Sequence, residues 1–154
     1  LLEGLRRIGV PGLEAHHPDA ALSDSRAQDP VCFQVPSTYE ITVTGKKLIG
    51  SAQMRRAGVV LQHGTLPLVG DIARICNVLA HPPDPASVHA RASTVESVLG
   101  RAVSFEQAAE AIARGMSAAL NLDWTPGELA SQECVWANQL YHEKYITDKW
   151  TRRL

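Results

Sequence analysis

The sequence predicts an α/β (α+β) fold in which a mixed, largely antiparallel sheet is packed by helices, and three observations carry that expectation. Residues Ser37–Val43 and Lys47–Gln53 alternate β-branched or aromatic with polar side chains on either side of a Gly45-Lys46 break, the pattern of a β-hairpin. A further apolar run, Val59-Val60-Leu61, has strand length and ends in Gln62-His63-Gly64-Thr65. After residue 70 the pattern changes to helical stripes opened by capping residues: Asp71, then Ser93-x-x-Glu96, Ser104-x-x-Gln107 and Thr125-Pro126-Gly127-Glu128.

In chain order, Leu1, Leu2, Leu5 and Ile8 recur at helical spacing and Gly9 ends that helix. Gly12 to Asp29 reads as a polar loop; its neighbouring His16 and His17 point to opposite sides of an extended chain, which does not build a metal site. With Gly45-Lys46 as a two-residue loop, Thr44 faces Lys47, Thr42 faces Ile49 and Glu40 faces Ser51. One face then carries Lys47, Ser51 and Gln53, the other Tyr39, Ile41, Val43, Leu48 and Ala52. Asp71 caps a helix with Ile72, Ile75, Cys76 and Leu79 on one stripe, so Cys76 belongs to packing. The prolines between His81 and Pro85 stop that helix, and the chain to about Arg91 reads as a connector. Ser93 opens a short helical turn ended by Gly100. Ser104 opens a longer helix whose Phe105, Ala108, Ala109, Ile112, Met116 and Ala119 are expected to face inward onto a sheet. The last helix, from Thr125, is expected to bury Ala130, Cys134, Ala137 and Tyr141.

With 154 residues, 45% hydrophobic and 20% charged, the composition is that of one globular domain with its own core. No apolar run approaches the roughly 20 residues that span a bilayer, and no signal-peptide pattern opens the chain, so no membrane partner and a cytoplasmic location are expected. Three cysteines in no CxxC spacing speak against a disulfide framework and a zinc site. Fifteen basic against sixteen acidic residues give no electrostatic footprint for nucleic acid, and Arg55-Arg56 reads as a solvated turn.

The chemistry-bearing residues cluster between Cys32 and Thr65. A lysine, Lys47, and a thiol, Cys32, near one sheet edge suit acyl transfer: an ammonium can lower a thiol pKa and stabilise the oxyanion formed when a thiolate attacks a thioester. Gly50-Ser51-Ala52 supplies small side chains that let a ligand approach a strand closely, and His63 with Gly64 sits at a strand end. From the residues alone Cys32 can equally be an ordinary loop thiol and Lys47 a solvated lysine beside a turn. His63 can be a satisfied strand-end histidine, a general base, or part of the approach of an acceptor lysine.

The segments Gly45-Lys46-Lys47-Leu48-Ile49-Gly50-Ser51-Ala52-Gln53, Arg55-Arg56-Ala57-Gly58 and Leu61-Gln62-His63-Gly64-Thr65 resemble the biotin/lipoate A/B protein ligase family. Cys32-Phe33 and Pro36-Ser37-x-Tyr39-Glu40-Ile41 resemble its lipoate branch of lipoate–protein ligases and octanoyltransferases, and Glu143-Lys144-Tyr145 with Asp148-Lys149-Trp150-Thr151 resembles the family's C-terminal helix ending. The resemblance implies an enzyme that moves an octanoyl or lipoyl group from an acyl carrier protein to a lysine of a lipoyl-domain protein. It implies Lys47, and not Lys46, as the family's active-site lysine, and Cys32 as the acyl-carrying nucleophile. Gly50, Ser51, Ala52, Gln53, His63, Gly64 and Thr65 are then expected to bind substrate. No cofactor is expected for the transferase; the alternative, an ATP-dependent ligase acting through lipoyl-adenylate, needs ATP and Mg. A third alternative is a fragment that binds lipoyl domains without catalysis. The family's glycine-rich N-terminal loop has no counterpart here, and the chain opens Leu1-Leu2-Glu3, so residues 1–154 are expected to be the C-terminal part of a single catalytic domain.

Overall fold

The structure, a computed structural model, describes residues 1–16 and 40–152. Contacts divide the chain into two units, Leu1–Leu122 and Asp123–Leu154.

The first unit opens with helix α1, Leu2–Arg7, as its apolar spacing predicts. Glu3 in the first turn and Arg6 and Arg7 in the last complement the helix dipole. Leu5 is fully buried, and Gly9 leaves the helix at φ +89. The expected loop after Gly12 instead begins with strand β1, Leu13–His16. Leu13-Glu14-Ala15-His16 alternates apolar with polar residues, but over so short a run it is pairing with β2 that makes them a strand.

Strand β2 is Glu40–Val43, β3 Lys46–Arg56 and β4 Val59–Thr65. They form one sheet in the order β1-β2-β3-β4, with every neighbour antiparallel. The mixed character expected of the sheet is limited, among the described residues, to a parallel bridge between Lys47 and Ala92. Residues 37–39 of the expected first strand lie outside the described residues.

Two corrections concern the β2–β3 hairpin. Its turn is Thr44-Gly45, at φ +49 and +74, one residue earlier than expected. Positive φ at both central residues is a type I′ turn, whose twist matches that of the flanking strands, and the glycine occupies its second position. Val43 therefore faces Lys46, and Thr42 faces Lys47, where the sequence reading placed Ile49. The register then slips: Ile41 pairs with Ile49, leaving Leu48 as an extra residue, a β-bulge. Leu48 and Ile49 consequently both enter the core with Ile41 and Val43, and Ile49 is not on the face of Lys47.

Beyond β4, Asp71 caps its helix by accepting from the Ala73 amide, as predicted. The helix, Ile72–Val78, is 3₁₀, so the buried residues fall three apart, Ala73 and Cys76, and Ile75 turns out to solvent. The expected connector contains helix α2, Pro85–Arg91: Asp84 caps it and Pro85 occupies its first turn, so a proline expected to stop one helix starts the next. Helix α3, Val95–Leu99, is capped by Thr94, one residue past the expected Ser93, and ends on a left-handed Gly100.

Helix α4, Phe105–Leu120, opens with the predicted Ser104–Gln107 capping box. Its buried stripe is Ala108, Ala111 and Gly115, whereas Phe105, expected inside, is 73% exposed, and Ala109 and Ala119 are also exposed. Its closest packing is on α1, while Ala108 and Ala111 also join the core that Ile41, Val43, Leu48 and Ile49 of the sheet form. A Cβ on Gly115 would stand 2.2 Å from the Gly4 nitrogen, so two helix backbones meet where both lack side chains. The principal core joins Leu5, Ile8, Val10, Ile41, Val43, Leu48, Ile49, Val95, Val103, Ala108 and Ala111.

The second unit contains α5, Ser131–Leu140, a π-helical turn Tyr141–Tyr145 and α6, Asp148–Thr151. Helix α5 starts later than the Thr125 signal, at Ala130, whose amide donates to Glu133 at 2.7 Å. The expected buried face is exposed: Ala130, Cys134, Ala137 and Tyr141 all face solvent. A unit this small has little core to offer, and none of its described residues is fully buried. No helix among the described residues is long and apolar enough to cross a membrane.

Candidate functional site

Lys47 lies at the start of β3 with its side chain only 7% exposed, and its Nζ stands 2.6 Å from an Oε1 of Glu40, itself 9% exposed. Two devices hold the lysine there. The type I′ turn places it opposite Thr42, and on its other edge the Lys47 carbonyl accepts from the Ser93 amide at 3.0 Å. On β1, Glu14 pairs with Thr42, whose hydroxyl donates to the Glu14 carboxylate across 3.5 Å. A polar row Glu14–Thr42–Lys47, with Glu40 beside it on β2, thus crosses the three strands on the face opposite Ile41 and Val43. Lys46 pairs with Val43 and is not part of that row.

The alternation along the sequence places Lys47 on one face together with Ser51 and Gln53. The bulge changes this. Residues directly opposite one another share a face, and one extra residue reverses the alternation that follows. The side of Lys47 is therefore resumed at Gly50 and Ala52, while Ser51 and Gln53 face the other way.

The seven residues expected to bind substrate do come together. Gly50 pairs with Thr65, Ser51 with Gly64 and Ala52 with His63 across β3 and β4, and Gln53 pairs with Gln62. By that register Gly50, Ala52, His63 and Thr65 share one face. Gly64 is required by close approach, since a Cβ there would stand 2.7 Å from the Gly50 carbonyl oxygen. Gln53 donates to Gln62 at 2.9 Å and accepts from Arg55 at 2.6 Å. Arg55 and Arg56, read as a solvated turn, end β3 and are exposed; the turn itself is Ala57-Gly58. Cys32, with Pro36, Ser37 and Tyr39, lies outside the described residues, as does His17. Of the other cysteines Cys76 is buried and Cys134 exposed, and both are free thiols. Among the described residues no group of three or more His, Cys, Asp or Glu side chains is placed to hold a metal ion.

The residue that sequence reasoning leaves out is Glu40. A signal was present: a carboxylate and a lysine on facing strands, two positions from the same pair. The expected register already sets Glu40 on the face of Lys47, and the actual turn brings it within two residues of Thr42, the partner of Lys47.

Residues 10–117 match the lipoyl protein ligase A/B catalytic domain. Octanoyltransferase LipM of Symbiobacterium thermophilum is 38% identical over 168 residues, covering 99% of this chain and 58% of that protein. Octanoyltransferase LipM of Kyrpidia tusciae is 39% identical over 165 residues, with the same 99% and 58% coverage. The chain thus spans a little over half the length of these curated relatives. Among solved structures, a lipoate-protein ligase A bound with ATP is similar at a TM-score of 0.72 and 25% identity, over 96% of this chain and 53% of that one. A putative lipoate protein ligase from T. acidophilum with bound lipoic acid shares the fold at a TM-score of 0.68 and 24% identity, over 96% of this chain and 53% of that one. With the family match covering most of its length, the chain belongs to the lipoyl protein ligase A/B catalytic-domain family.

Proposed function

We propose that this chain is part of a cytoplasmic octanoyltransferase of lipoate biosynthesis, which moves an octanoyl (or lipoyl) group from an acyl-carrier-protein thioester to a lysine of a lipoyl-domain protein. The observation that carries the reading is the similarity of 99% of the chain to octanoyltransferases at 38–39% identity. In this reaction the Cys32 thiolate attacks the carbonyl carbon of the donor thioester. A new C–S bond forms, and the carrier leaves as a thiol that takes up a proton. The acceptor amine then attacks the Cys32 thioester, forms an amide, gives up a proton and releases the Cys32 thiolate. Both steps pass through an oxyanion, which the Lys47 ammonium stabilises. Gly50 and Ala52, on the side of Lys47, leave room for an acyl chain against the strand. His63 and Thr65, across from them, border the same space.

A second reading is favoured by the similarity to a ligase bound with ATP. There ATP and Mg activate the free acid, Lys47 holds the acyl-adenylate and Cys32 takes no part. A third, binding of lipoyl domains without catalysis, applies if residues beyond this chain are needed for turnover.

The test uses the full-length protein and octanoyl carrier protein, without ATP and without acceptor. Intact mass should show one octanoyl adduct that hydroxylamine removes and Cys32→Ser abolishes. Absence of an adduct, with modification of the acceptor by ATP and free lipoate, would establish the ligase instead.

A further inference from the structure

We propose that Glu40 is the positioning residue of Lys47: its carboxylate compensates the buried ammonium and fixes the direction in which the ammonium points. This rests on the acyl-transfer reading, in which Lys47 faces the reacting carbonyl. Two charged side chains, each more than nine-tenths buried, meet at 2.6 Å on adjacent strands. An ammonium at that depth is strongly disfavoured without a compensating charge, and carboxylates are rarely buried unless paired. Each residue therefore explains the position of the other.

The geometry also sets which way Lys47 reaches. Thr42 stands directly opposite Lys47, and Glu40 lies two residues further along β2 on the same face, toward Gly50. The lysine side chain is thus drawn along the sheet in the direction of Gly50 and Ala52, where β3 carries no bulky side chain. Glu40 does not touch the reacting atoms in this scheme; it acts through Lys47. The bulge at Leu48 is the structural means, because it lets Leu48 and Ile49 both enter the core while Lys47 stays with Glu40 on the polar face.

The experiment is a kinetic double-mutant cycle in the full-length enzyme, with octanoyl carrier protein as donor and a lipoyl domain as acceptor. Glu40→Gln is expected to lower kcat by roughly 10- to 100-fold with KM changed by less than about 3-fold, since it misplaces a group that acts in the transition state. Glu40→Asp, which keeps the charge on a shorter stem, should fall between Gln and wild type, and it carries the test if Glu40→Gln does not fold. In a Lys47→Ala background Glu40→Gln should add less than about a 2-fold loss, because a positioning residue has nothing left to position. Wild-type kcat in Glu40→Gln, or a loss that multiplies in full with that of Lys47→Ala, would overturn the proposal while leaving the role of Lys47 intact. Wild-type turnover in Lys47→Ala would instead remove the role of Lys47 from the acyl-transfer reading, and the role of Glu40 with it.

Discussion

The two hairpins of the sheet are built on the same turn and end in opposite environments. Thr44-Gly45 and Ala57-Gly58 both place a non-glycine residue at φ +49 ahead of a left-handed glycine, and both connect antiparallel strands. Around the first turn, residues 40–43 and 47–49 are buried on both faces. Around the second, residues 51–65 are exposed throughout, and Met54, Val59, Val60 and Leu61 meet solvent. One strand, β3, runs through both regions. The lesson is that turn chemistry sets pairing and register locally, whereas burial is assigned by what packs on the sheet. The inner hairpin has α1, α4 and the Val95 region in its core, together with an ion pair; the outer one has a ladder of polar side chains.

This contrast can be broken most forcefully with leucines. Leu48→Ala, at the fully buried bulge, should cost about 2–5 kcal/mol in urea denaturation. Leu61→Ala, an apolar residue of the outer hairpin that is 55% exposed, should stay within about 0.5 kcal/mol. Comparable losses would mean that the outer hairpin is buried in solution. Next in size is the paired test of adjacent lysines in the full-length enzyme. Lys47→Ala should lower turnover by roughly 100- to 1,000-fold, as removal of one preorganised oxyanion donor does, and Lys46→Ala should be mild. Equal losses would show that surface charge and not the buried row matters. The smallest effect sharpens the comparison at the turns themselves. Alanine at Gly45 or Gly58 meets no neighbouring atom, so each substitution costs only the roughly 1–2 kcal/mol of a left-handed backbone. For Gly45→Ala that should appear as a lower global unfolding midpoint. For Gly58→Ala it should appear as faster amide exchange in residues 54–61 at an unchanged midpoint, because the outer hairpin can open alone. A global shift from Gly58→Ala would join the two regions into one cooperative unit.

Much of the fold was legible along the chain wherever a signal is local. The Ser104–Gln107 box, the Asp71 cap, Gly100 as a helix end and the strand at Val59 need only neighbours within a few residues. Signals failed where a residue has two local meanings. Pro85 can end one helix or start the next, and Asp84 beside it decides for the start. Along the chain the candidate residues stand out as types, and the Gly50–Gln53 and His63–Thr65 segments lie on paired strands, with Lys47 earlier on β3 opposite Thr42. Which of them share a face with Lys47 was not legible, because a single bulge inverts the answer.

The sequence by itself determined membership of the lipoate branch, the existence of the first hairpin and of the Val59 strand, the caps of α4 and the 3₁₀ helix, and the short list of chemistry-bearing residues, all of which depend on residue identity at short spacing. Tertiary structure alone decided that β1 is a strand, that α4 packs its alanines and Gly115 on α1, and that Lys47 is buried against Glu40. The physical reason is the same in each case. Pairing, close approach of backbones and compensation of a buried charge are properties of two segments at once, and no single stretch of chain contains both partners in their final register.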